Sequence, residues 1–174
     1  SANGYYHYYC MNKAIEMNYN TEGILLASDD VLLKPWNLKN LDPTKIWYFE
    51  SLKPKLEMKL IIENFKWIWW RKNGQAVIGL FNYFRNVVSG RVNSTQKETY
   101  FIKEFMSTID SHRVDKRYIS FGGSDIFYLP RRKFEIFYYM ANVFKRHKIF
   151  LEIAVPTILN GIDTRHFDPD RFPA

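Results

Sequence analysis

Gly23-Ile24-Leu25-Leu26-Ala27-Ser28-Asp29-Asp30 is a short apolar run that stops abruptly on polar residues. Its length and uniform hydrophobicity, with turn residues at its borders, predict a buried central strand over Gly23 to Ala27. Upstream, Tyr6, Tyr9, Cys10, Ala14 and Met17 recur at three- and four-residue spacing. That period predicts an amphipathic helix ending near residues 18–20, with the Cys10 thiol buried on its apolar face. A helix, then a buried strand, then acids at the strand's C-terminal end is an α/β arrangement, and ligands of such sheets bind at that end.

Working outward, residues 34–53 have no clear period and read as loop with short strands. Pro54 is a good first helical residue, and a helical pattern follows through Leu56, Leu60, Ile61 and Phe65 to a predicted stop at Asn73-Gly74. Ala76, Val77, Leu80, Phe81, Phe84, Val87 and Val88 give another helix, and residues 100–109 a further short one. Residues 118–121 and 126–129 are strand-like, separated by Gly122-Gly123-Ser124-Asp125 and closed by Pro130. Phe134, Phe137, Tyr138, Ala141 and Phe144 form the stripe of a helix ending in basic residues, which suits the helix dipole. Residues 149–162 are apolar but interrupted by Glu152 and Pro156. Internal repeats and domain linkers are lacking, so residues 1–174 read as a single α/β domain with a helical, aromatic-rich insertion at 45–115.

The chain's 174 residues suit one domain with a real core, and 47% hydrophobic and 18% aromatic residues set it apart from disordered chains. No stretch reaches the ~18 uninterrupted apolar residues of a membrane span. A secretory signal pattern is lacking, and the start at Ser1 without an initiator methionine reads as that of an excised or processed piece. A single cysteine excludes an intramolecular disulfide framework and a cysteine-rich zinc site. The sequon Asn93-Ser94-Thr95 would be glycosylated on a lumenal route. The net charge of +7, in clusters at 53–72, 113–117, 131–133 and 145–148, suits polyanions or a solvated lysine-rich surface. Trp67, Trp69 and Trp70 could stack nucleic-acid bases, but they continue an apolar pattern and are read as core or interface.

Four constellations could carry chemistry. Adjacent carboxylates at a strand end point to different sides, so of Asp29 and Asp30 one can ligate a metal while the other acts through water or a sugar hydroxyl. Magnesium or manganese is commonly held in this way, together with substrate phosphates. A turn after the strand would use the same residues. Gly122-Gly123-Ser124-Asp125 allows close approach of a ligand or another backbone, or makes a tight hairpin turn. Glu152, a lone acid in an apolar run, has the surroundings of a general base with a raised pKa, or of a salt-bridge partner for a nearby cation. His166 is either a third metal ligand or a surface residue.

The order of these motifs resembles that of GT-A glycosyltransferases. Leu26-Ala27-Ser28-Asp29-Asp30-Val31 looks like the DxD-type motif, with Ser28 in its first, often acidic, place. Gly122, Gly123 and Asp125 resemble the segment lining the donor sugar. Leu151-Glu152-Ile153 is similar to the motif supplying the catalytic base of inverting members, with Ile153 where a second acid is usual. More narrowly, YHYYCMNKAIEM, GILLASDDVLLKPWNL, GGSDIFYLPRR and FLEIAVPTIL resemble the STELLO-like glycosyltransferase family. That resemblance covers the start of the chain and residues 118–162.

The resemblance implies a GT-A mixed sheet flanked by helices, lacking N-terminal strands because one helix and one strand precede the acids. It implies Mn2+ or Mg2+ on Asp29, Asp30 and His166, and a nucleotide diphosphate-sugar donor near Ser28, Gly122, Gly123 and Arg131. Glu152 would act as catalytic base, with Asp125 beside it and a glycan or protein as acceptor. A Golgi-lumenal location and other glycosyltransferases as partners follow from the same likeness, and so does a non-catalytic scaffold as the alternative to an enzyme. A basic aromatic nucleic-acid-binding module is the rival reading from composition.

Overall fold

A computed structural model describes residues 6–29, 31–39, 41–48, 68–111, 119–120 and 124–163. Along the chain these form α1 (Tyr6–Glu16), β1 (Gly23–Ala27), a 3-10 turn at Pro35–Leu38, β2 (Trp47–Tyr48), α2 (Ile68–Val88) and α3 (Gln96–Ser111). Then come β3 (Ile126–Pro130), a 3-10 turn at Arg131–Lys133, α4 (Phe134–Arg146) and α5 (Leu151–Ile162). The chain is thus mixed α and β, with five helices and one small sheet among the described residues.

The sheet has the order β1-β3-β2 and both pairings are antiparallel. β1 is therefore an edge strand among the described residues, and its residues are half-buried or, at Ala27, exposed. The expected buried central strand is instead β3, where Phe127, Leu129 and Tyr128 are buried. An apolar run of five residues is equally compatible with both positions; the pairing partner decides between them. Tyr128 also explains the glycine at the start of β1, since a Cβ on Gly23 would overlap the tyrosine's phenol. The second expected strand of this region is not formed at 119–120, which have no regular structure, while 118 and 121 lie outside the described residues.

Helix α1 forms over the span its periodicity predicts, but it is rotated from the predicted face. Tyr8, Met11 and Asn12 are buried and Ile15 packs on the core, whereas Cys10 is exposed. The buried stripe includes polar tips that find partners: Tyr8 Oη donates to the Ile149 carbonyl (2.8 Å), and Asn12 Nδ2 to that of Tyr138 (3.2 Å). Hydropathy spacing undervalues such residues, because their bodies are buried while their tips reach partners, although Asn12 Oδ1 has none among the described residues.

Helix α2 runs straight through Asn73-Gly74 rather than stopping there. Val77, Leu80, Phe81, Phe84 and Val87 keep one face buried, and packing of that face outweighs the roughly 1 kcal/mol helix penalty of a glycine. Asn73 is itself buried, and its Oδ1 accepts the Phe150 N–H (3.2 Å) at the start of α5. Helix α3 begins at a capping box: Thr95 N–H donates to Glu98 Oε2 (3.0 Å), and Glu98 N–H donates to Thr95 Oγ1 (3.1 Å). Asn93 of the sequon is exposed just ahead of this cap.

The core lies where α2, α3, α4 and α5 meet. Phe84, Phe105 and Phe144 pack with ring centroids 5.5–6.2 Å apart. Helix α5 is the innermost element, buried at every residue from Ile153 to Ile162. A helix apolar on all sides must be enclosed, and this one tolerates Pro156 in its second turn, where the proline removes the N–H that would bond the Glu152 carbonyl. Its few polar side chains fasten the adjacent chain: Thr157 Oγ1 donates to the Ser120 carbonyl (3.0 Å) and Asn160 Nδ2 to Ser120 Oγ (2.8 Å). No described helix is long and apolar enough to cross a membrane.

Candidate functional site

The candidate site lies at one end of the sheet. The β1–β3 ladder pairs Ala27 with Ile126, and one step further Ser28 N–H donates to the Asp125 carbonyl at 2.7 Å. This bond brings the segment following β1 and the segment preceding β3 out at the same place. Ser28, Asp29 and Asp125, which are about a hundred residues apart in sequence, thereby become neighbours. Val31 N–H donates to the Ser28 carbonyl (3.2 Å), so the chain turns immediately after Ser28 and leaves Asp29 exposed on the turn.

Helix α1 supplies a residue that the sequence reading missed. His7 Nε2 and Ser28 Oγ share a hydrogen bond of 3.0 Å, which fixes the serine standing in the first place of the acidic motif. The other ring nitrogen, His7 Nδ1, is buried and has no partner among the described residues. Ser124 is fully buried with its Oγ likewise unpartnered. Two orphaned polar atoms beside the motif are uncommon in a folded interior. The sequence signal for His7 is faint: a lone histidine within Tyr6-His7-Tyr8-Tyr9, on a helix whose buried face lies about two residues round from the one its apolar spacing predicts.

Glu152 enters from the first turn of α5. It is half-buried, and its carboxyl is held above the ordinary range, first by burial and then by the charge of Asp125. The two candidate catalytic acids therefore face each other electrostatically. Among the described residues Glu152 has no ion-pair partner, so the salt-bridge reading of this acid finds no counterpart there. A carboxyl shifted in that direction is suited to general acid–base work.

Arg131 is not brought to this cluster. It follows Pro130 at the opposite end of β3, roughly 20 Å of extended strand from Asp125, where its Nη1 donates to the carbonyls of Tyr19 (2.8 Å) and Thr21 (3.3 Å). Its neighbours do similar work. Arg132 donates from Nε and Nη2 to the Thr44 carbonyl (3.0 and 2.8 Å), and Lys133 Nζ to the Ile162 carbonyl (2.6 Å) at the end of α5. This basic run ties three segments of chain together through their backbone oxygens.

Asp30, Gly122, Gly123 and His166 lie outside the described residues. Among the described residues, no group of three or more His, Cys, Asp or Glu side chains converges on one point. Asp29 is thus the one member of the expected metal-ligand set whose position is described. Neither of two cavities lined by described residues includes the acid cluster. One, of about 290 Å³, is bordered by Tyr100, Glu104, Arg132, Lys133 and Gly161. The other, of about 240 Å³, lies on the sheet. No family model, curated protein or solved structure matches the chain.

Proposed function

We propose that this chain carries the metal-binding and acceptor side of a GT-A-type, STELLO-like glycosyltransferase domain, moving a sugar from a nucleotide diphosphate-sugar to an acceptor hydroxyl. The observation that supports the reading is the hydrogen bond that brings Ser28 and Asp29 next to Asp125 at one sheet end, with half-buried Glu152 raised by burial and by the charge of Asp125.

In this reading Asp29, with Asp30 and His166, holds Mn2+ or Mg2+. When bound, the ion supplies the positive charge against which a diphosphate leaves. Asp125 and the preceding glycines line the sugar. Glu152 takes the proton of the acceptor hydroxyl as its oxygen attacks the anomeric carbon and the bond to the diphosphate oxygen breaks. Burial raises the basicity of Glu152 for this task. His7 holds Ser28, and so orients the turn that carries Asp29.

The test is calorimetric titration of manganese with UDP into the wild-type chain and into Asp30→Asn, each checked for folding by circular dichroism. The proposal expects heat that requires both ligands together and disappears in the variant. A folded wild-type chain that binds neither, or a variant that binds as well as wild type, would sink it.

A further inference from the structure

Alternate residues of an edge strand turn their backbone groups outward, and the ladder bonds identify which do so here. Arg131 N–H donates to the Glu22 carbonyl and Ser28 N–H to the Asp125 carbonyl. By strict alternation Glu22, Ile24, Leu26 and Ser28 face β3, while Gly23, Leu25 and Ala27 present their N–H and C=O groups at the other edge, which is open among the described residues. That edge bears no proline and no charged residue between Glu22 and Asp29, the usual devices that discourage strand addition.

An apolar groove adjoins it. Leu25 lies in register with Tyr128, which lies in register with Trp47, so the three share one face of the sheet. With Leu38, Leu41 and Ile126 they line the cavity of about 240 Å³. Trp47 stacks on Tyr128 at 4.2 Å, and its indole N–H donates to the Asp42 carbonyl (2.8 Å), which holds the groove's wall in place. Leu41 is itself exposed, as are Leu32 and Trp36 in the chain between β1 and Leu38, and Leu32 is 88% so.

We propose that β1 and this groove form a peptide-binding site that takes an extended segment as an added strand. Main-chain bonds to Gly23, Leu25 and Ala27 would hold it, and a large apolar side chain paired with Leu25 would lie at the groove. Charge selects the occupant. Exposed Glu22 and Asp29 bracket the edge, so the fitting segment is an apolar core with basic residues at both ends. A second copy fits less well, because antiparallel pairing of β1 with itself centred on Leu25 sets Glu22 against Ser28 and Asp29 against Thr21, leaving both acids without a basic partner. This inference does not rest on the glycosyltransferase reading, with which it shares one residue, Asp29.

The test is fluorescence anisotropy with a labelled peptide of five alternating leucines and threonines, flanked by two lysines at each end. Saturable binding is expected, weakened at least tenfold by Leu25→Pro. That substitution removes an outward N–H but no β1–β3 bond, so the fold should survive it. Methylating the peptide's central backbone nitrogens should weaken binding to a similar extent without touching the protein. Glutamate in place of the peptide's lysines, or Glu22→Lys, should weaken it several-fold. Failure to saturate, or equal binding of the methylated peptide, would overturn the proposal. So would a dimer, seen by light scattering, that Leu25→Pro dissociates, since a second copy would then hold the edge.

Discussion

Two apolar runs of this chain, residues 23–27 and 149–162, end in opposite circumstances. The first is uninterrupted and contains no charged residue, yet β1 is a half-exposed edge strand. The second is broken by an acid and a proline, yet α5 is enclosed from Ile153 to Ile162. Hydrophobicity of a segment sets how much it gains from burial; the number of neighbours on its sides sets how much burial it receives. Helix α5 meets α1, α3 and α4, whereas β1 has β3 on one side and an open edge on the other among the described residues.

The contrast can be broken first by truncating one leucine from each run. Leu159→Ala in α5, whose side chain is fully buried, should cost about 2–5 kcal/mol through lost burial and the cavity left behind. Leu25→Ala in β1 should cost about 1 kcal/mol or less, because the side chain already meets solvent. Equal losses in chemical denaturation would show that β1 is enclosed after all.

Two glycines sharpen the same comparison on a smaller scale. A Cβ on Gly161 would overlap the ring of Phe105, while one on Gly79, in the exposed middle of α2, would meet nothing within 4 Å. Gly161→Ala should therefore destabilise by about 1–3 kcal/mol through overpacking. Gly79→Ala should stabilise by about 0.5–1 kcal/mol, since alanine loses less backbone freedom on folding. Thermal denaturation of both variants reads the two signs directly.

The smallest expected effect concerns Glu152, where the buried helix meets the candidate site. Its carboxyl is raised above the ordinary value of 4.5 by burial and by Asp125, so ionising it costs stability. The cost is absent below the ordinary value, grows as pH rises toward the raised value, and is constant above it. Glu152→Gln should thus raise the melting temperature at pH 7 and lose that advantage under acid conditions. A variant that melts lower than wild type at pH 7 would mean the carboxylate is paired.

Much of the fold was legible in the sequence. Helices α1, α4 and the later part of α2 follow their periodicities, and β1 and β3 fall on the predicted residues. What escaped was set by tertiary partners. Rotation of α1 depends on Tyr8 and Asn12 finding carbonyls on Ile149 and Tyr138, over a hundred residues away. Continuation of α2 through Asn73-Gly74 depends on a buried face and on a bond to Phe150. Of the candidate site, Ser28 was brought next to Asp125 by a backbone hydrogen bond. Arg131 was not, because strand direction in an antiparallel sheet carries it to the far end. His7 was overlooked for a related reason: its role exists only through its bond to Ser28.

The central claim is that the acids at this sheet end form one metal–nucleotide site. Paramagnetic broadening of backbone amide signals by Mn2+ in the presence of UDP tests it at residue level. The account predicts loss of signal at His7, Ser28, Asp29, Asp125 and Glu152, with Arg131 and Lys133 unaffected. Broadening centred on Arg131 to Lys133, or none anywhere at saturating ligand, would contradict it.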